Sequence, residues 1–153
     1  MVYLICKNCT RKISDFLVNQ VDDLNALNDD NYFEDEENVY ISLKNGKQAY
    51  MGYHKNRSIS FDGCCGCKED GPLNRICAGC EVALGREVSD CESVYHYIRI
   101  VKTSIDVIEV TTQHEDKLYT MEKSLKFNAA TIEEWLVLLK WKPKEFAKRV
   151  KKI

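Results

Sequence analysis

Three Cys-x-x-Cys pairs constrain the fold of this 153-residue chain more than any other feature: Cys6/Cys9, Cys64/Cys67 and Cys77/Cys80. Two cysteines at this spacing can present both thiolates to one tetrahedral ion from a tight turn, and two such pairs complete a four-thiolate zinc site. The apolar N-terminal stretch is too short for a signal peptide and lacks a basic region before it. We therefore expect a cytoplasmic protein whose reduced thiols bind metal, rather than a disulfide framework.

The three pairs can be combined in more than one way. We favour a structural zinc site made by Cys6, Cys9, Cys77 and Cys80, because each of these pairs follows a strand-like run that would present two thiolates together. A local knuckle of the second and third pairs, or two four-cysteine sites that use all eight cysteines, are the alternatives. A site closed by four thiolates leaves no position for water, so it supports structure rather than hydrolysis.

The remaining cysteines form a candidate second metal or redox site: Cys64, Cys65, Cys67, Cys91. Neighbouring side chains diverge in extended backbone, so two adjacent cysteines seldom reach one ion. Gly63 and Gly66 around the adjacent pair indicate a tight turn. We expect these thiols to pack as small apolar side chains. The alternative is a site of Cys64 or Cys65 with Cys67 and Cys91, completed by Asp90 or a histidine.

The central block has a recognisable order of short motifs: Gly63-Cys-Cys-Gly66, Gly71-Pro72, Asn74-Arg75, Cys77-x-x-Cys80, Glu81-Val82, Asp90-Cys91. It resembles a segment of uncharacterised bacterial cysteine-rich proteins, in which Gly-Cys-Cys-Gly precedes Gly-Pro-Asn, a cysteine cluster, Glu-Val and Asp-Cys. Here Leu73 is inserted before Asn74, and Cys67 is additional. The resemblance implies a bacterial protein with a zinc-ribbon or β-tent-like unit, and it implies no activity.

Hydrophobic periodicity predicts an α-helix over residues 14–27, with Ser14 near its start as a cap. The Asn45-Gly46 dipeptide lies between strand-like runs at 39–43 and 48–53, which predicts a β-hairpin. A short strand is expected around Ile59 and Phe61. Residues 95–101 and 105–111 are expected to form an antiparallel pair.

A capping box at 131–134 and the helix-breaking Pro143 predict a C-terminal helical pair over about 131–153. The predicted fold class is therefore α+β. It comprises a small antiparallel sheet pinned by a zinc ion on four cysteines, an N-terminal helix and the C-terminal helical pair, within a single zinc-binding domain of residues 1–153.

Composition, charge and the absence of known motifs argue against several classes of function. The net charge of −2 provides no overall basic field, which disfavours a dedicated nucleic-acid-binding protein. No apolar run reaches the ~18 residues of a membrane span. The three histidines lack the spacing of a hydrolytic zinc site, and no phosphate-binding or nucleophile motif is present. We therefore assign no catalytic residue and expect a protein that is not an enzyme.

Charge is unevenly distributed along the chain. An acidic segment could contact a basic protein: Asp29, Asp30, Glu34, Asp35, Glu36, Glu37. Basic residues near the C-terminus could contact nucleic acid: Lys142, Lys144, Lys148, Arg149. Our leading hypothesis is a non-enzymatic bacterial zinc-binding protein that acts through protein–protein binding, such as an immunity-type toxin neutraliser. The alternatives are a nucleic-acid-binding zinc-ribbon protein that uses this basic tail, and a thiol oxidoreductase that uses Cys64, Cys65 and Cys67.

Overall fold

The computed structural model describes residues 2–15, 17–110 and 150–152, and most of the regular structure there is β-strand. Ten strands are present in these ranges: β1 Val2–Cys6, β2 Asn19–Val21, β3 Asn31–Glu34, β4 Asn38–Ile41, β5 Met51–Tyr53, β6 Arg75–Cys77, β7 Ala83–Val88, β8 Tyr97–Val101, β9 Ile105–Val110 and β10 Val150–Lys152. One short α-helix, α1 (Arg57–Ser60), and two 3-10 turns, Leu24–Ala26 and Lys102–Ser104, complete the described elements.

The strands form two sheets. The smaller sheet has the order β1-β9-β10, and the larger has the order β2-β3-β4-β8-β7-β6-β5. All neighbouring strands are antiparallel except β2 and β3, which are parallel. The chain leaves the larger sheet after β8 and enters the smaller sheet at β9 through the Lys102–Ser104 turn. This connection lies close to the first cysteine turn, because the N–H of Lys7 donates to the Ser104 carbonyl at 3.0 Å.

Apolar side chains of both sheets share one hydrophobic core. Leu4 and Val107 contribute from the smaller sheet, and Ile41, Leu84 and Ile98 contribute from the larger sheet. Every residue of β1 is buried, which explains its uninterrupted apolar sequence. Burial of apolar surface on this scale is the main favourable term in folding. The core therefore fixes the position of the cysteine at the end of β1.

The predicted helix over residues 14–27 is wrong. The backbone of this region instead returns along β1: the Leu17 N–H donates to the Val2 carbonyl at 2.6 Å, and the Ile13 N–H donates to the Leu4 carbonyl at 2.9 Å. Ser14 caps no helix, and its hydroxyl accepts from the Leu4 N–H at 3.0 Å. Ile13 and Leu17 are fully buried by this pairing. The apolar residues of this region therefore have the spacing of a helix, but they lie in an irregular segment that pairs with β1.

The predicted hairpin at Asn45-Gly46 is also wrong, since β4 pairs with β3 and β8, whereas among the described strands β5 pairs only with β6 at the other end of the sheet. Asn45 is buried and connects three segments. Its side-chain oxygen accepts from the Asp15 N–H at 3.0 Å, and its amide donates to the Asp29 carbonyl at 3.1 Å. Asn-Gly therefore forms a packed connection in which side-chain hydrogen bonds replace the hairpin ladder.

Two further strand predictions need correction. Ile59 lies in α1 rather than in a strand, and Phe61 follows this helix as its C-cap. Residues 97–101 and 105–110 are strands as predicted, but they belong to different sheets and do not pair. Residue 111 lies outside the described residues.

The α+β fold class is wrong, because the described chain is mostly β and its single α-helix is four residues long. The predicted C-terminal helical pair falls largely on residues 131–149, outside the described part. Its last residues, Val150–Lys152, form β10 and pair with β9. Within the described ranges, the structure has no helix with the length and apolar character needed to cross a bilayer.

Candidate metal centres

The tertiary structure brings together Cys6, Cys9, Cys77 and Cys80, which we call the four-cysteine centre. Cys6 ends β1 in the smaller sheet, and Cys77 ends β6 in the larger sheet. All four sulfurs lie within 4.8 Å of one another. The Cys6 and Cys80 sulfurs are 3.7 Å apart, and those of Cys9 and Cys77 are 3.5 Å apart. A tetrahedron with Zn–S bonds of ~2.3 Å has edges of ~3.8 Å, so the four thiols can hold a metal ion.

The two Cys-x-x-Cys turns have the same backbone geometry. In the first, the Thr10 N–H donates to the Cys6 carbonyl at 2.8 Å, and in the second the Glu81 N–H donates to the Cys77 carbonyl at 2.9 Å. Thr10 and Glu81 both have a φ of 62°. This left-handed residue after each second cysteine reverses the chain and keeps both sulfurs on one side of the turn. A left-handed backbone conformation is energetically unfavourable for a residue other than glycine. Its presence in both turns indicates that the surrounding structure imposes this conformation.

The environment of the four thiols is uneven. Cys6 and Cys77 are fully buried, whereas Cys9 and Cys80 are partly exposed. For the free thiols, burial raises the pKa of Cys6 to about 12. Burial also opposes ionisation of Cys80, but hydrogen bonds to the Asn8 side chain and the Val82 backbone lower its pKa to about 7. The N–H of Gly79 donates to the Cys77 sulfur at 3.4 Å, a contact that stabilises a thiolate.

A second group brings together Cys64, Cys65, Asp90 and Cys91, whose ligand atoms also lie within 4.8 Å of one another. The Cys64 sulfur is 3.8 Å from that of Cys65 and 3.1 Å from that of Cys91. The Cys65 N–H donates to Asp90 Oδ1 at 3.1 Å, which lowers the pKa of this carboxyl. A hydrogen bond with Cys91 is the main cause that raises the pKa of Cys64 to about 12.

Cys67 does not join the second group. Its side chain is fully buried, and its sulfur is 2.7 Å from the Ser60 carbonyl oxygen, to which it donates. Both members of the adjacent pair Cys64-Cys65 do join it, contrary to the expectation that they pack as small apolar side chains. The reason is that residues 63–66 form a bend and not a strand. The Gly63 N–H donates to the Gly66 carbonyl at 2.9 Å and closes this bend.

Arg86 holds the loop that carries the second group, and no sequence motif predicted this role. Its fully buried guanidinium donates to both carboxylate oxygens of Asp62, at 2.7 and 2.8 Å. It also donates to the carbonyls of Lys68, Ile59 and Pro72. The signal in the sequence is limited to two charged residues, Arg86 and Glu87, that lie between apolar Leu84 and Val88. A buried arginine of this kind is retained only when its donors are satisfied.

The acidic segment includes the β3–β4 hairpin, whose turn is closed by side-chain hydrogen bonds. Asp35 closes this turn by accepting from the Glu37 and Asn38 N–H groups, at 2.9 and 2.7 Å. Glu34 pairs with Lys102 at 3.0 Å, and Asp29 pairs with Lys44 at 3.2 Å. These three carboxylates therefore have partners within the chain.

The other acidic positions of this segment, Asp30, Glu36 and Glu37, are exposed. The basic tail residues Lys142, Lys144, Lys148 and Arg149 lie outside the described part of the chain.

The histidines of the described part do not enter either thiol group. His54 Nδ1 accepts from the Asn56 N–H at 3.0 Å, and His96 Nε2 lies 3.0 Å from the Asp90 carbonyl oxygen. Comparison of the chain with family models, curated proteins and solved structures found no match.

Proposed function

We propose that this chain is a zinc-binding protein in which Cys6, Cys9, Cys77 and Cys80 hold one structural zinc ion. The observation that carries the proposal is the convergence of four sulfurs from the ends of two strands in different sheets and the turns that follow them, at separations that match a tetrahedral site. Four thiolates form a soft ligand set that suits zinc or iron and disfavours magnesium or calcium. The closed ligand set assigns the ion to structure rather than to hydrolysis.

Metal analysis tests this proposal directly. Native mass spectrometry of the reduced full-length chain is expected to show bound zinc, and chelation is expected to expose all four thiols of the centre to alkylation. Cys67→Ala is the control, because Cys67 is as buried as Cys77 but outside both groups, and this variant should retain the ion. Detection of bound iron, with visible charge-transfer absorption, would identify the ion as iron instead of zinc. Free alkylation of all four thiols before chelation would contradict the proposal.

We further propose that the protein acts by binding a basic protein partner through the β3–β4 hairpin. The hydrogen bonds of Asp35 close the hairpin turn that carries exposed Glu36 and Glu37. Neighbouring charges of one sign steer an oppositely charged partner toward the surface that carries them.

Binding of a fluorescent lysine-rich peptide provides a test of this surface. The double substitution Glu36→Gln/Glu37→Gln is expected to weaken binding several-fold at low salt, and added salt should remove the difference because exposed charges are screened. Asp22→Asn/Asp70→Asn removes the same number of exposed charges elsewhere and serves as the matched control. Equal weakening by both double variants would show that only net charge matters and would reject the hairpin as the binding surface.

The thiol oxidoreductase alternative has less support. A reactive thiol requires a lowered pKa, whereas the side-chain hydrogen bond with Cys91 is the main cause that raises the pKa of Cys64 and of Cys65. The pKa of Cys67 is raised by burial. The nucleic-acid alternative depends on tail residues outside the described ranges, so no observation favours it over protein binding.

A further inference from the structure

The group of Cys64, Cys65, Asp90 and Cys91 is separate from the four-cysteine centre and has the composition of a second metal site. Three of its members are exposed cysteines, and the fourth is a buried aspartate. Exposed free thiols are uncommon on protein surfaces because they are readily oxidised. Three of them beside one carboxylate therefore require a physical explanation.

The distances in this group fit a four-coordinate ion. Asp90 Oδ1 is 3.5 Å from the Cys64 sulfur and 3.4 Å from the Cys65 sulfur. With Zn–S bonds of ~2.3 Å and Zn–O bonds of ~2.1 Å, a tetrahedral sulfur–oxygen edge is ~3.6 Å. The 3.8 Å separation of the Cys64 and Cys65 sulfurs equals the expected sulfur–sulfur edge. Cys91, whose sulfur is 3.1 Å from that of Cys64, needs only a small displacement.

The backbone around the group is already organised. The Cys91 N–H donates to the Cys65 sulfur at 2.9 Å, and such outer donors orient and tune metal ligands. Ser89 and Asp90 donate to the Cys67 carbonyl at 2.9 and 3.0 Å, which attaches the cysteine turn to the end of β7. A Cβ on Gly63 would lie 2.5 Å from Asp90 Oδ1, so only glycine permits this approach. The ligands are thus held close together by the fold itself.

We propose that Cys64, Cys65, Cys91 and Asp90 bind a second zinc ion, which exchanges faster than the ion of the four-cysteine centre. Three thiolates select a borderline-soft divalent ion such as zinc over magnesium or calcium. One carboxylate oxygen replaces the fourth thiolate, and the three cysteines are exposed to solvent, so a competing chelator reaches this ion first. The four-cysteine centre is protected because Cys6 and Cys77 are fully buried.

Stoichiometry and exchange kinetics test the proposal on the full-length reduced chain. Zinc alone is the probe, and native mass spectrometry is expected to show two ions per chain. A chromophoric chelator should remove one ion in a fast phase, in which Cys64, Cys65 and Cys91 become open to alkylation, and the other in a phase at least tenfold slower. Cys64→Ser/Cys91→Ser should lose the fast phase and keep the slow one. Its circular dichroism should be unchanged, because both side chains are exposed.

Asp90→Asn separates a ligand role from a structural role. The amide oxygen can still accept from the Cys65 N–H, so a purely structural Asp90 predicts unchanged exchange. A metal ligand predicts a faster release of the second zinc, by about tenfold or more, since the neutral amide is a weaker donor. A cobalt-loaded chain provides a second readout, because its thiolate-to-metal charge-transfer absorption should divide between the two centres in the ratio of four thiolates to three.

Several results would overturn the proposal. One zinc per chain, with Cys64, Cys65 and Cys91 freely alkylated in the zinc-loaded protein, would show that this group binds no ion. A Cys64–Cys91 disulfide that persists under reducing purification would show that the group is a disulfide site instead. Alkylation identifies which cysteines are protected, so failure of this site is distinguishable from failure of the four-cysteine centre: the latter leaves Cys6, Cys9, Cys77 and Cys80 reactive.

Discussion

Cys77→Ser is expected to abolish the cooperative unfolding transition of the native protein. Structural zinc contributes about 10–16 kcal/mol in finger peptides, which is comparable to the total stability of a domain, ~5–15 kcal/mol. Serine is a poor zinc ligand. Cys77 is buried at the end of β6, and the turn that follows it carries Cys80, the other ligand of this pair. Loss of the ion removes a connection between the sheets. Circular dichroism during a urea titration measures the effect.

Cys67→Ala provides the matched comparison for this first prediction. Cys67 is equally buried, but it lies outside both thiol groups. Its replacement should cost only the ~0.5–3 kcal/mol typical of a single substitution and should leave a cooperative transition. Chelation of the wild-type chain should reproduce the Cys77→Ser result. If Cys77→Ser and Cys67→Ala lower the free energy of unfolding equally, the four-cysteine centre does not support the fold.

Arg86→Met is expected to lower the free energy of unfolding by about 3–5 kcal/mol, the range for breaking a buried ion pair by removal of one partner. Methionine fills similar space but provides no donor. The carboxylate of Asp62 and the carbonyls of Lys68, Ile59 and Pro72 would then lose their hydrogen bonds. Asp62 is partly solvated, with 21% of its side chain exposed, so the orphaned carbonyls account for much of the loss.

Arg86→Lys and Arg57→Met sharpen the second prediction. Lysine keeps the charge but cannot reproduce the planar fork of donors, so it should recover only a minor part of the stability. Arg57 is exposed, and its substitution should change stability by less than ~0.5 kcal/mol. Urea unfolding is the measurement. A change of that small size for Arg86→Met would show that the loop over residues 59–72 does not depend on this side chain.

Local sequence was sufficient to predict the thiol turns. A strand-like run that ends in Cys-x-x-Cys favours a turn with convergent sulfurs, because turn geometry depends on a few consecutive residues. The general prediction that the cysteines can hold a metal ion is confirmed by the two groups in the structure. The same local reasoning identified β1 and the strand at the end of which Cys77 lies, although it named neither sheet.

Local sequence failed where long-range pairing satisfied the same pattern differently. Ile13 and Leu17 have helical spacing, yet both are buried in the segment that pairs with β1. Asn45 favours a hairpin turn, yet its side chain forms hydrogen bonds of 3.0 and 3.1 Å with Asp15 and Asp29, which are 30 and 16 positions away. In both places the available tertiary hydrogen bonds and burial overrode a modest local preference.

Spacing within a turn is a local property, so the chain's sequence alone was enough to indicate cysteine turns suited to a metal ion. The choice of which thiols meet came from packing between distant segments. Cys91 joins Cys64 and Cys65, whereas Cys67, much nearer to them in sequence, is turned into the core toward Ser60. That choice depends on the pairing of strands and on the burial of Arg86 against the loop. Strand pairing and the burial of Arg86 depend on many contacts between residues that are distant along the chain, so local spacing does not predict them.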